Sequence, residues 1–165
     1  MKIREITISD AKKFVQLTKE IEGHSEFMLW EPDERTVTSE QQRKRIEALE
    51  DVNNSTIFVA EEENKLVGFL VAMGGNARRN QHTVYLVIGI LKDYRGQRIG
   101  SRLFSELEKW GKERNIHRLE LTVVTKNIGG LALYKKMGFI IEGTKKHSLL
   151  IDGEFVDEYY MSKLI

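Results

Sequence analysis

Apolar residues in this chain recur with two different periods, and the switches between them mark out the elements. At the N-terminus "KIREITI" alternates isoleucine with charged neighbours, the period of a strand. Ser9 or Asp10 then stands where a helix cap belongs, ahead of Ala11, Phe14, Leu17 and Ile21 on one helical face. "EGHSEFMLWEPDERTVTS" keeps neither period and reads as a long irregular loop around the single proline, Pro32. Long aromatic loops inside compact domains are often functional. Ser39 followed by Gln42 offers a capping box for a second helix through Leu49.

"STIFVAE" and "KLVGFLVAM" are β-branched runs separated by the polar "EENK", the pattern of a hairpin. "TVYLVIGIL" is almost continuously apolar, as expected of a strand buried on both faces. Ile99, Leu103, Leu107 and Trp110 then recur at helical spacing, predicting an amphipathic helix from Arg98 to about Arg114. "RLELTVV" returns to strand, and "GGLALYKKMGF" is a short helix stopped by Gly138. The last two runs, "FIIEGTKKHSLLI" and "EFVDEYYMSKLI", flank Asp152-Gly153, a strong hairpin-turn signal. The order β-α-α-β-β-β-α-β-α-β-β predicts an α/β (α+β) fold: a mixed, mostly antiparallel sheet of about seven strands, helices on both faces. No linker or repeat divides residues 1–165, so one domain is expected.

Composition removes several function classes. There are no cysteines, hence no disulfide, no thiolate metal site and no cysteine nucleophile. The four histidines are scattered without metal-ligand spacing, so no metal is expected. With 26 basic and 25 acidic residues the net charge is +1, which gives no global field for nucleic acid. "NARRNQH" has two arginines but no interleaved aromatics, and reads as a solvated loop. No run approaches a membrane span, and "MKIREITISD" lacks the apolar block of a signal peptide. A cytoplasmic location is the expectation.

Candidate chemistry centres on "DYRGQRIGSRL", where a buried strand meets the amphipathic helix. A helix start carries unpaired N–H groups and the positive end of the macrodipole, a natural seat for phosphate. Gly96 and Gly100 would leave room for a ligand to approach, and Arg95, Arg98 and Arg102 would surround the turn. A side chain at Arg98 is compatible with this if position 98 has ordinary helical dihedrals. The alternative is a plain helix start with a solvated basic face. The stretch is neither a Walker A loop nor a dinucleotide fingerprint.

Two motifs in order resemble the GNAT superfamily of acetyl-CoA-dependent N-acetyltransferases. That family's phosphate loop reads Q/R-x-x-G-x-G/A. Arg95-Gly96-Gln97-Arg98-Ile99-Gly100 is similar at its first and last positions and departs from it at Arg98. The family also carries N-x-x-A-x-x-L-Y-x-K-x-G-F. "NIGGLALYKKMGF" matches at Asn127, Leu133, Tyr134, Lys136, Gly138 and Phe139, with Gly130 in place of alanine. The tail looks like members related to ribosomal-protein and small-amine acetyltransferases, and the resemblance spans essentially the whole chain.

This resemblance implies acetyl-CoA as co-substrate and an amine-bearing acceptor, with a homodimer by family analogy. It implies that the strand "YLVIGIL" splays from "LELTVV". The pantetheine arm would pair with Ile88, Gly89 and Ile90, and the pyrophosphate would rest on the N–H groups from Arg95 through Gly96, Gln97, Arg98, Ile99 and Gly100 to Ser101. Asn127 would contact the pantetheine amides, besides capping its helix, and Lys136 would reach a phosphate. Tyr134 would be the acid that protonates the departing thiolate, where the bland reading is a ring packed between helix and sheet.

The base is open. Many members carry a glutamate on the splayed strand, and "HTVYLVIGI" has none. His82, Glu31, Glu34 and Tyr85 are the candidates, each with an ordinary structural reading beside it. The function expected is direct acetyl transfer to a primary amine, a small molecule or amino acid favoured. The alternatives are a protein N-terminal acetyltransferase and a non-catalytic acyl-CoA-binding module.

Overall fold

The computed structural model describes residues 1–165. Seven strands form one sheet in the order β1-β2-β3-β4-β5-β7-β6. The strands are β1 (Lys2–Glu5), β2 (Thr56–Glu62), β3 (Lys65–Gly74), β4 (Thr83–Ile90), β5 (Arg118–Val124), β6 (Ile140–Ile151) and β7 (Glu154–Leu164). The helices are α1 (Ala11–His24), α2 (Ser39–Leu49), α3 (Ile99–Glu113) and α4 (Ile128–Lys136). The element order and the mixed sheet agree with the sequence reading. Only β4 and β5 run parallel; every other neighbouring pair is antiparallel.

Alternation along β3 assigns the two helical layers. Phe69 points to the face where α1 packs, its ring edge-on to Phe14 with centroids 5.5 Å apart. Its neighbour Gly68 points the other way, where a Cβ would stand 3.4 Å from Ile99 of α3. Thus α1 and α2 cover one face, α3 and α4 the other. The core of α3 is fully buried at Leu103, Phe104 and Leu107, as its apolar stripe requires.

The termini of the elements depart from expectation by small steps with clear causes. Helix α2 is capped by Thr38 and Gln41, not by Ser39 and Gln42: Thr38 Oγ1 accepts from Gln41 N–H at 3.1 Å, and Gln41 Oε1 from Thr38 N–H at 2.9 Å. Gln42 is thereby turned inward and buried. Asp10 does occupy the N-cap position of α1, but its carboxylate does not cap it. It accepts from Arg4 at 2.7 and 2.9 Å and from Thr7 N–H at 2.8 Å. At the far end, Asp152 and Gly153 have φ of 50° and 75°, the pair of left-handed residues a tight I′ hairpin needs.

Candidate active site

The sheet opens between β4 and β5. Their register covers only Thr83–Tyr85 against Arg118–Glu120, so β4 from Leu86 to Ile90 has no strand on that side. Antiparallel pairing with β3 decides which groups face the gap. Gly75 N–H donates to Thr83 C=O and Leu91 N–H to Val67 C=O, so the odd-numbered residues of β4 bond to β3. The backbone groups of Leu86, Ile88 and Ile90 therefore point into the gap. Gly89 does not, contrary to the expectation that it would pair with a ligand: its groups belong to the β3 ladder. Its lack of a side chain serves packing, since a Cβ there would stand 2.7 Å from the Phe69 ring. Nor is β4 buried on both faces throughout. Val87, Ile88 and Ile90 are half-buried because the gap begins beside them.

At the end of β4 the chain makes a short turn, Lys92–Tyr94, and enters α3. The first hydrogen bond of α3 runs from Arg102 N–H to Arg98 C=O at 3.1 Å. The N–H groups of Ile99, Gly100 and Ser101 are therefore unpaired, as are those of Gly96, Gln97 and Arg98. Position 98 is not helical, as supposed from sequence: Arg98 is left-handed at φ 62°. Gly96 is left-handed too, at φ 75°, with open space where a Cβ would point. Left-handed residues on either side of Gln97 turn consecutive N–H groups toward one spot, which makes an anion seat at a helix N-terminus. Gly100 plays another part than the one expected. The space beside it is filled by Leu133, whose Cδ2 would lie 2.7 Å from a Cβ. Arg102 turns away to Met1 C=O at 3.2 Å, leaving Lys92, Arg95 and Arg98 as the cations at this end.

Helix α4 forms the opposite wall. Asn127 caps it, accepting from Gly130 N–H at 3.0 Å. Gly130 lies close under the capping side chain: a Cβ there would stand 2.7 Å from Asn127 Nδ2, so the amide would have to shift to make room. Tyr134 follows on the inward face, with its ring edge-on to Phe104 at 5.9 Å between centroids. The packing reading thus holds for the ring. The hydroxyl has no partner in the protein, yet it is not sealed in and borders the gap. Burial, with a further contribution from Tyr85, pushes its pKa up to about 12. It stays a proton donor at any physiological pH.

These walls enclose one cavity of about 1460 Å³. It runs from Arg95, Gly96 and Arg98 past Ile88 and Tyr134 to the loop between α1 and α2. A cavity of that size exceeds the 300–1,000 Å³ or so of ordinary ligand pockets and has room for two substrates. Asn127, Lys136, Ile99, Gly100 and Ser101 also line it. Gln97 does not border it; its amide returns to Asp93 C=O at 3.3 Å.

Neither His82 nor Glu31 borders the cavity. His82 precedes β4 at the paired end of the gap, where its C=O accepts from His117 and Arg118 and its ring lies 6.4 Å from that of His117. Glu31 is exposed on the loop, and Glu34 also lies outside. Tyr85 does line the cavity, bonded through its hydroxyl to Thr122 at 2.8 Å. Sequence reasoning missed Glu158, a buried carboxylate of β7 on the cavity wall, and Gln42, a buried amide there without a side-chain partner. It also missed the tether of the loop. Buried Glu22 accepts from Arg35 Nε at 2.7 Å, and the guanidinium lies 5.4 Å from the Trp30 ring centroid.

Residues 20–139 match the acetyltransferase (GNAT) family. The chain belongs to that family. It is an acetyltransferase with acetyl-CoA as co-substrate, as the two motifs implied. It is similar to L-amino acid N-acetyltransferase AaaT of Escherichia coli, 33% identical over 65% of this chain and 67% of that protein. It is 32% identical to N-alpha-acetyltransferase MAK3 of Arabidopsis thaliana over 50% of this chain and 44% of that one. The crystal structure of a GNAT-family acetyltransferase from Streptococcus pneumoniae superposes with a TM-score of 0.96 at 31% identity, covering 99% of both chains.

The residues present fit the co-substrate. Unpaired N–H groups, a left-handed turn and three cations suit a pyrophosphate, and the free edge of β4 suits the amides of a pantetheine arm. No helix is long and apolar enough to cross a membrane.

Proposed function

We propose that this protein transfers an acetyl group directly to the primary amine of a small molecule, with an α-amino acid the favoured acceptor. The carrying observation is the continuous cavity. One end has the phosphate seat at Gly96–Ser101, the middle has the free edge of β4, and the other end is roofed by the α1–α2 loop. That roof is held down by the pairing of Arg35 with buried Glu22, which favours a compact acceptor over an extended polypeptide. The likeness to an L-amino acid N-acetyltransferase supports the same choice.

Bound acetyl-CoA supplies an activated thioester carbonyl. The chain's residues do the rest. The N–H groups of Gly96 through Ser101 hold the diphosphate, assisted by Lys136, and Asn127 orients the arm. The N–H of Ile88 or Ile90 donates to the carbonyl oxygen as charge grows there. The acceptor loses one proton to solvent to become a neutral nucleophile. Tyr134 gives its proton to the sulfur as the C–S bond breaks, and the second proton shed by the nitrogen as the amide forms restores the Tyr134 hydroxyl.

Calorimetric titration with acetyl-CoA and with ATP, followed by thiol release with L-amino acids, alkylamines and an N-terminal peptide, tests this. Micromolar acetyl-CoA affinity, weak ATP binding and release with amino acids are expected. Preference for the peptide would move the acceptor to protein N-termini. No acetyl-CoA binding would overturn the whole reading.

A further inference from the structure

An acceptor amine arrives as a cation, and the cavity holds two carboxylates that could meet it, Glu26 and Glu158. Glu26 is exposed on the loop, whereas Glu158 is 8% exposed on β7. Pairing through Val124 places Glu158 one strand across from the gap.

Register also says which side of the sheet it serves. Residues directly opposite one another share a face, and Thr122↔Tyr160 and Val124↔Glu158 are such pairs. Glu158 therefore emerges on the same face as Thr122. Thr122 is bonded to Tyr85, and Tyr85 shares a face of β4 with Gly89, whose Cβ direction meets Ile21 of α1. That is the face of the α1–α2 loop, opposite to the one where α3 presents its phosphate seat.

The carboxylate is only half satisfied. Oε1 accepts from Ser148 Oγ at 2.8 Å. Lys145 Nζ, half exposed on the same cavity wall, makes a long ion pair with Oε1 at 3.9 Å, too far for a hydrogen bond and leaving Oε2 unengaged. Oε2 has no protein donor, and it is not among atoms sealed from contact. A largely desolvated carboxylate with one free oxygen is completed by a cationic donor.

We propose that Glu158 is the specificity-determining residue that receives the ammonium group of the acceptor. The proposal rests on the reading of the cavity as an acetyl-transfer site. Ser148 orients the carboxylate, and the acceptor's N–H donates to Oε2.

The test separates the proposal from that reading. Binding of L-amino acids and alkylamines to protein saturated with desulfo-CoA is measured by calorimetry, and thiol release from acetyl-CoA is measured apart. Glu158→Gln keeps the shape and the Ser148 contact. It is expected to weaken amine binding by tenfold or more and to raise KM for the amine, with acetyl-CoA affinity unchanged. Equal amine affinity in variant and wild type overturns the role of Glu158, even if thiol release shows that transfer stands. Absence of amine binding to the wild type overturns it too. Loss of acetyl-CoA binding in the wild type would instead strike the transfer reading, and the ammonium site would be refuted with it.

Discussion

The ring of Phe69 lies against the bare backbone of Gly89, where a Cβ would stand 2.7 Å from Cε1 and 3.0 Å from Cζ. The ring cannot retreat easily, because it is buried and held edge-on by Phe14. Ile21 closes the same spot at 3.2 Å. Gly89→Ala is therefore an overpacking change, expected to destabilise by about 1–3 kcal/mol. Phe69→Leu in the same chain should recover part of the loss. Urea denaturation of the single and double variants checks this, and additive losses would show that the two side chains do not compete for space.

Arg98 makes a second case of backbone before side chain. A left-handed arginine costs roughly 1–2 kcal/mol relative to its ordinary dihedrals, and glycine escapes most of that. Arg98→Gly is expected to raise stability by about 0.5–1 kcal/mol once the added freedom of the unfolded chain is subtracted. Acetyl-CoA affinity should stay within about fivefold, because an exposed charge contributes little beside the fixed N–H groups. Thermal unfolding and calorimetry on the same preparation measure both. A large loss of affinity would show that the guanidinium, not the turn, holds the phosphate.

Much of this was legible in the chain itself, for reasons that differ by element. Periods of two and 3.6 are direct consequences of which face is buried, so the strands and α3 could be read from Ile, Leu and Val alone. Asn127 could be read because its cap is local. Arg98 hid its conformation, since a glycine there would have announced a positive φ and an arginine does not. Glu158 was invisible for a different reason. Glu154, Asp157 and Glu158 look alike along β7, and only the register with β5 and β6 tells which one turns inward. His82 and Glu31 failed as cavity residues because their positions depend on where the gap opens, which no local pattern encodes.

The Arg4–Asp10 pair predicts an acid-sensitive step in stability. Hydrogen bonds from Arg4 outweigh the burial of Asp10 and hold its pKa down to about 2, from an ordinary 3.8. A carboxylate with a depressed folded pKa contributes its stability above the unfolded value and loses it as pH falls through the folded one. The window is thus about pH 4 to 2, and the shift corresponds to about 2 kcal/mol. Asp10→Asn should be less stable than wild type at pH 6, with the difference shrinking through that window. Urea midpoints at several pH values measure it, and a difference that is the same at pH 2.5 and pH 6 would assign the loss to something other than the charge.

Tyr134 carries the most direct prediction about turnover. Its ring is fixed by Phe104 and Phe139, so Tyr134→Phe should leave packing almost intact. What it removes is one O–H with no structural partner. If that O–H protonates the departing sulfur, kcat should fall by about 10²-fold or more, the scale of a positioned general acid. Acetyl-CoA affinity by calorimetry should hardly move, since the phosphate seat and the edge of β4 are untouched. The raised pKa adds a second check. Because burial pushes the pKa of Tyr134 up to about 12, a fall in rate between pH 8 and 10 is expected to come from another group. Any alkaline limb seen there should persist in the phenylalanine variant at its lower rate. Unchanged kcat in the variant, with acetyl transfer shown to limit turnover, would leave Tyr134 a packing residue and pass the proton to another donor in the cavity.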